Sequence, residues 1–230
     1  MRIVTWNCCR GPFEKKLAAL ESLAPDIAVL TEATRPSEET DQVLWFPSGA
    51  SSLGIQVRAS GEYKIERIAA ADLPNCVVPV RVIGPRSFNL LAIWTWPAPS
   101  YIKAFMNGLT AYAGLLDSDQ TVVAGDFNGN PTFDKPGTRI KWSMAFARLQ
   151  EAGLVSAYHH AHADHGHAVP WGSERHATHH FLRKPDRPFH IDFCFVPQAW
   201  ATKALEVHVA SGPEWISLSA HFPILVTTQD

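Results

Sequence analysis

Cysteine is scarce in this sequence, with four in 230 residues, at positions 8, 9, 76 and 194. None is spaced as CxxC, so neither a disulfide framework nor a cysteine zinc site is expected, and the thiols are read as reduced. Long apolar runs are missing as well. No stretch approaches the roughly 20 residues that cross a bilayer, which predicts no membrane span. The opening MRIVTWNCCRG reads as a strand at once, without the basic and then apolar segments of a secretion signal, so the expected compartment is the cytoplasm. A charge surplus is lacking too. Twenty Lys and Arg stand against 22 Asp and Glu, and the chain as a whole offers no basic field for nucleic acid or anionic lipid. No feature points to a protein partner. Repeats, low-complexity tracts and linkers are absent, and residues 1–230 are read as one domain.

What is abundant is core-forming material: 46% hydrophobic residues, with eight Trp and twelve Phe. The runs RIVTW (2–6) and IAVLT (27–31) have strand character, and between them Phe13, Leu17, Leu20 and Leu23 recur at helical spacing. Pro12 suits a first helical turn and Pro25 a stop. Further strands are predicted at 53–59, 63–69, 76–82, 87–96, 121–125, 153–158, 190–197, 204–210 and 216–226, with helices over about 101–116 and 139–152. Helices set among many strands of both directions predict an α/β fold: a four-layer α/β/β/α sandwich of two packed mixed sheets with helices outside.

Polar residues fall at the ends of the apolar runs. Asn7 follows IVTW, Glu32 follows IAVLT, Asp126 and Asn128 follow TVVAG, and His221 stands before FPILV. Strand ends along one rim can bring side chains from distant parts of a chain onto one pocket. Each residue also has a plainer reading, because Asn, Asp and Gly are the usual turn formers and Glu32 could be a solvated strand end. Asp192 is harder to explain that way. In HIDFCFV, period two sets His190, Asp192 and Cys194 on one face and Ile191, Phe193 and Phe195 on the other. A carboxylate inside that strand costs several kcal/mol without a cation, a proton donor or a metal.

The ordered set TWN, LTE, GDFN, HIDF and Ser-x-His-Phe-Pro-Ile resembles the endonuclease/exonuclease/phosphatase superfamily over nearly the whole chain. That resemblance implies the four-layer sandwich, a Mg²⁺ or Mn²⁺ ion, and hydrolysis of a phosphoester substrate, nucleic acid among the possibilities. It implies that Glu32 is the main metal ligand, with Asn7 an adjacent ligand or hydrogen-bonding support. Asp126 would orient or deprotonate the attacking water, Asn128 would hold phosphate oxygens, and Asp192 would pair with a cationic His221.

One position departs from the pattern. The family usually reads Ser-Asp-His where this chain reads Ser219-Ala220-His221, which weakens the expected catalysis and leaves open a catalytically impaired phosphate-binding or regulatory module on the same fold. Residues 159–180 hold eight of the eleven histidines. With Asp, Gly, Ser and Pro interspersed and no HExxH spacing, a solvated loop is expected there rather than a zinc site. Trp94, Trp96 and Tyr101 could stack on a base or sugar, or serve as packing.

Overall fold

The computed structural model describes residues 1–48, 52–69, 76–98, 100–118, 120–202 and 204–229. In chain order the first half holds β1 (Arg2–Asn7), α1 (Phe13–Glu21), β2 (Ile27–Thr34), β3 (Val43–Pro47), β4 (Leu53–Ala59), β5 (Lys64–Arg67), β6 (Val77–Ile83) and β7 (Phe88–Trp94). There follow α2 (Tyr101–Ala111), α3 (Ala113–Leu116), β8 (Thr121–Asp126), α4 (Trp142–Glu151), β9 (Leu154–Ser156) and α5 (Ala157–Ala161). The last part holds β10 (His179–His180), β11 (Pro188–Phe189), β12 (Asp192–Pro197), β13 (Glu206–Val209), α6 (Pro213–Leu218) and β14 (Ile224–Thr227).

Two six-stranded mixed sheets result, in the orders β13-β14-β1-β2-β4-β3 and β5-β6-β7-β8-β12-β9, with β10 and β11 as a small separate hairpin. Each sheet has one parallel pair at its centre, β1 with β2 and β7 with β8, and every other pairing is antiparallel. The parallel pairs are joined through helices, α1 in one case and α2 with α3 in the other, because a parallel connection needs a crossover.

Period-two alternation sorts the second sheet between two cores. Val78, Val80, Leu90, Ala92, Val122, Ala124 and Cys194 join the cluster that also contains Ile3, Val29 and Ile55 of the first sheet. Their neighbours Val77, Leu91, Val123, Phe193 and Phe195 instead meet Phe105 of α2 and Phe146 of α4. The sheets are thus packed on each other, with helices outside, as the patterning implies. Gly125 in β8 lies at φ 148°, and a Cβ there would sit 1.9 Å from the Ile93 carbonyl oxygen of β7. Only glycine lets β8 run this close to β7 immediately before Asp126.

Three local expectations change. The segment 216–219, predicted as strand, closes α6, and β14 begins only at Ile224; Pro213 at the first turn and Glu214 behind it start that helix. Residues 157 and 158 turn into α5 instead of extending β9. The helical stretch 101–116 is interrupted at Tyr112, whose φ of −107° and ψ of 25° close α2. No helix among the described residues is long and apolar enough to cross a membrane.

Candidate active site

The central parallel strands of both sheets end at one rim, and the antiparallel strands beside them begin there. Asn7 is the last residue of β1 and Asp126 the last of β8, whereas Asp192 opens β12 opposite Asp126. His221 precedes β14, and Glu32 lies in β2, where the pairing with β4 slips between Leu30 and Ala33. Glu32 adopts φ 50° in that slip, a left-handed conformation uncommon for a non-glycine residue that here accompanies a bulge in the strand.

Asn7 joins the two sheets. Its buried Nδ2 donates to Asp126 Oδ2 (2.8 Å) and to Glu32 Oε1 (3.3 Å), while its Oδ1 accepts from the Cys9 backbone N (2.8 Å). The amide oxygen has a second lone pair, which leaves Asn7 able to serve either as an adjacent ligand or as a hydrogen-bonding support. The turn beyond it is left-handed at Cys9, Arg10 and Gly11, and the buried ammonium of Lys16 fastens it by donating to the Cys8 and Arg10 carbonyls. The carboxylate of Glu32 is about a fifth exposed, and its Oε2 lies 3.6 Å from Arg10 Nε.

Asp126 and Asp192 are fully buried. Asp126 accepts from Asn128 twice, backbone N to Oδ1 (2.8 Å) and Nδ2 to Oδ2 (2.9 Å). Asn128, at φ 50°, also donates from Nδ2 to the Thr95 carbonyl (3.0 Å), so both of its amide protons are engaged and it braces Asp126. Burial, and next the nearby Asp192, push the Asp126 carboxyl up to about 7 despite the opposing pull of His221, Asn7 and Asn128.

Asp192 Oδ2 lies 2.9 Å from His221 Nδ1, and Asp192 Oδ1 is buried with no partner among the described residues. Burial works against charge on His221. The carboxylate of Asp192 outweighs it, with help from Asp126 and Cys9, and lifts the imidazole to about 9. Trp6 Nε1 donates to the His221 carbonyl (2.9 Å), and Ser219 Oγ accepts from the His221 backbone N (3.0 Å) while donating to the Asn7 carbonyl (2.7 Å). One hydroxyl therefore ties the histidine to the strand carrying Asn7. Ala220, between them, is nearly buried and its carbonyl accepts from His180 N (2.8 Å).

Two contributors, Thr178 and His179, had not been singled out in the sequence. Thr178 Oγ1 accepts from the backbone N of Ile191 (3.0 Å) and of Asp192 (3.1 Å), fixing the start of β12. His179 stacks on His221, with ring centres 4.2 Å apart and planes 29° from parallel. Burial, and then the cationic His221, lower the His179 imidazole to about 4. Tyr101 reaches the site electrostatically, its phenol raised first by burial and then by Asp126. Trp94 and Trp96 pack edge to face at 6.0 Å, both against core residues.

The histidine-rich segment is exposed over residues 163–168, as its composition implies, but part of it is buried. His159 Nε2 and Glu174 Oε1 lie 3.2 Å apart with side chains only 4% and 5% exposed, and Ser156 Oγ meets His159 Nδ1 at 2.7 Å. Asn130 Nδ2 donates to the same Glu174 oxygen (3.0 Å) and to the His190 carbonyl (3.0 Å). Burial opposes the charge on Glu174, but the bonds from His159 and Asn130 prevail and hold its carboxyl down to about 2. Solvation does hold at His165, whose side chain is 93% exposed. Among the described residues, the group of acidic and imidazole side chains close enough to share an ion is Asp126, Asp192 and His221, with donor atoms within 4.8 Å.

No protein-family model matches the chain, and no curated protein matches it. Solved structures do. An AP endonuclease from Archaeoglobus fulgidus is 15% identical, with 100% of each chain covered and a TM-score of 0.70. The 3′ phosphatase NExo from Neisseria, bound to a product DNA hairpin, is 18% identical over 100% of this chain and 99% of that one, with a TM-score of 0.69. An endonuclease/exonuclease/phosphatase family protein from Leptotrichia buccalis is 13% identical over 100% of both chains, with a TM-score of 0.62. The architecture that delivers Asn7, Glu32, Asp126, Asp192 and His221 to one rim is thus the fold of the endonuclease/exonuclease/phosphatase proteins.

Proposed function

We propose that this protein is a divalent-cation-dependent phosphoesterase that hydrolyses its substrate by in-line attack of water, with nucleic acid among the candidate substrates. The observation that carries the reading is the buried chain of contacts from Glu32 through Asn7 to Asp126, with the Asp192–His221 pair beside it. The donor set suits Mg²⁺ or Mn²⁺. Both prefer oxygen ligands, and Glu32, joined through Asn7 to Asp126, stands beside two buried carboxylates, of which Asp192 has an oxygen, Oδ1, with no partner among the described residues and Asp126 is pushed up first by burial and then by Asp192. Glu32, partly exposed, would hold the ion, with Asn7 orienting the Glu32 carboxylate. A bound ion of this kind supplies positive charge to the non-bridging phosphate oxygens.

The remaining work falls to the chain itself. Asp126, titrating near neutral pH, is suited to accept the proton of the attacking water, and Asn7 and Asn128 hold its carboxylate in one orientation. His221 is suited to present a cation to the phosphoryl oxygens, where charge grows in the transition state, because Asp192 keeps its ring charged and fixed. Asn128 would hold a phosphate oxygen only by releasing one of its two side-chain bonds.

Ala220 favours a second reading, a phosphate-binding module with weakened turnover. Methyl replaces carboxylate beside the histidine, and the remaining site residues are kept. Cleavage of bis(p-nitrophenyl) phosphate with Mg²⁺ and with Mn²⁺ tests the first reading, alongside calorimetric titration of both ions into Glu32→Ala. The expected result is cation-dependent cleavage, and a Glu32→Ala protein that stays folded yet loses ion binding. Unaltered ion affinity in that variant would move the metal site elsewhere.

A further inference from the structure

An aromatic ladder leads outward from the catalytic histidine. His221 stacks on His179; His179 lies nearly parallel to Phe189 at 6.1 Å and meets Phe181 edge-on at 6.3 Å; Phe189 meets Phe133 edge-on at 5.8 Å. The three phenylalanines are 39–46% exposed and Leu182, next to Phe181, is 65% exposed. Rings this open to water bury little of their own surface, so packing alone does not account for them.

The same hairpin carries the charge that the chain as a whole lacks. Between residues 175 and 190 stand Arg175, Arg183, Lys184 and Arg187 against the single carboxylate of Asp186, in a chain whose formal charge is −2. All four cations are exposed. Arg183 donates to the Ser217 carbonyl (3.2 Å), which ties the hairpin to the end of α6. Leu182 and Arg183 both sit at φ near 56°, so the tip is held in a strained turn with its apolar and cationic side chains displayed.

Behind the ladder is a cavity of about 550 Å³ whose lining includes Phe133, Phe189, Arg175 and His190. His190 is 94% buried. Its Nδ1 lies 2.8 Å from the His176 carbonyl, and its Nε2 has no partner among the described residues. Burial lowers its imidazole to about 4, so the ring is neutral and Nε2 is left as an unpaired acceptor. Aromatic faces and a row of cations are what an unpaired nucleotide offers partners for: a base to stack and phosphates to neutralise.

We infer that the 175–190 hairpin, with Phe133, is the substrate arm of this site and binds single-stranded nucleic acid by stacking unpaired bases beside the scissile phosphate. A duplex keeps its bases stacked on one another and gives this ladder nothing to hold. The inference rests on the phosphoesterase reading for the identity of the site, but it is tested without turnover.

Fluorescence anisotropy in EDTA would compare an oligothymidylate of about eight nucleotides with a base-free deoxyribose-phosphate oligomer of equal length, and with the corresponding duplex. The oligothymidylate is expected to bind roughly tenfold more tightly than either. The double substitution Phe133→Ala and Phe181→Ala, at exposed positions, should erase most of that preference. Lys184→Glu should weaken both single-stranded ligands and lower the salt dependence by about one phosphate contact. Equal affinity for the oligothymidylate and the base-free oligomer overturns the inference. So does a preference that survives the loss of both rings, or retention on phosphatidylserine vesicles without oligothymidylate binding. Cleavage of bis(p-nitrophenyl) phosphate on the same preparations separates the two readings. Base preference without cleavage supports this inference and removes the enzyme; cleavage without base preference does the reverse.

Discussion

The two sheets share one plan, a central parallel pair flanked by antiparallel strands, yet they bring opposite kinds of acid to the rim. The β1–β2 pair delivers Glu32, partly exposed and carried by a bulge, and the β7–β8 pair with β12 delivers Asp126 and Asp192, both sealed from solvent. A carboxylate open to water costs little to keep ionised and can share an ion with water. Burial instead shifts the proton equilibrium of Asp126. The same geometry thus separates a partly exposed carboxylate, the proposed holder of the cation, from a buried one, the proposed proton acceptor, and Asn7 spans the two.

Substitutions on the buried side should have the largest effects. Asp126→Asn removes the proposed proton acceptor and is expected to reduce phosphoester turnover by about 10²–10⁴-fold with metal affinity largely kept, measured by steady-state kinetics and calorimetry. Asp192→Asn leaves the buried His221 without its counter-charge. A loss of roughly 3–5 kcal/mol in denaturant unfolding is expected, together with a His221 titration displaced well below its value of about 9; an NMR titration that stays in place would break the pairing. Placing an acid on the loop, Ala220→Asp, should raise turnover by about 10²–10³-fold while changing substrate affinity far less. A variant as inert as its parent, with ion bound, would favour the binding-module reading.

Protonation adds a milder test of the contrast. Asp126 rises from an ordinary 3.8 to about 7 on folding and His221 from 6.5 to about 9, so native protein binds more protons than unfolded chain. Their contribution to stability is full below the unfolded values and is lost as pH climbs through the folded ones. Below about pH 6.5 His179 and His190, lowered to about 4, work the other way, because there the unfolded chain holds the extra protons. Cation-free protein should therefore melt at falling temperature from about pH 6.5 to 9, and Mg²⁺ at pH 7–8 should recover part of the loss from Asp126. The smallest effect is expected on the open side. Glu32→Gly should be more stable than Glu32→Ala by about 1 kcal/mol, because glycine meets the left-handed backbone without penalty.

The fold and the positions of the polar residues were legible because they rest on periodicity. The apolar runs of β1, β2, β8 and β12 are uninterrupted, and the alternation in HIDFCFV does separate Cys194 from Phe193 and Phe195, toward different cores. The segment ISLS misleads for the same reason. Four residues of period two mimic a strand, and α6 is too short at six residues to display a period of 3.6. His159 could not be read at all. Its burial depends on Glu174, 15 residues away, and composition says nothing about whether two polar groups satisfy each other. Nor does spacing reveal that both amide protons of Asn128 point back to Thr95 and Asp126.

Gly125 has no chemistry to contribute, yet any side chain there would collide with the Ile93 backbone and displace the residue that follows. In a library of random replacements ranked by activity alone, position 125 would score beside Asp126 and be mistaken for a participant in the reaction. A parallel ranking by amount of folded protein would not rescue it, because a strand shifted by an ångström can still fold. Telling the bystander from the reagent requires a measurement on Asp126 itself: in Gly125→Ala its carboxyl should titrate away from 7, as the amides of Asn7 and Asn128 lose their aim.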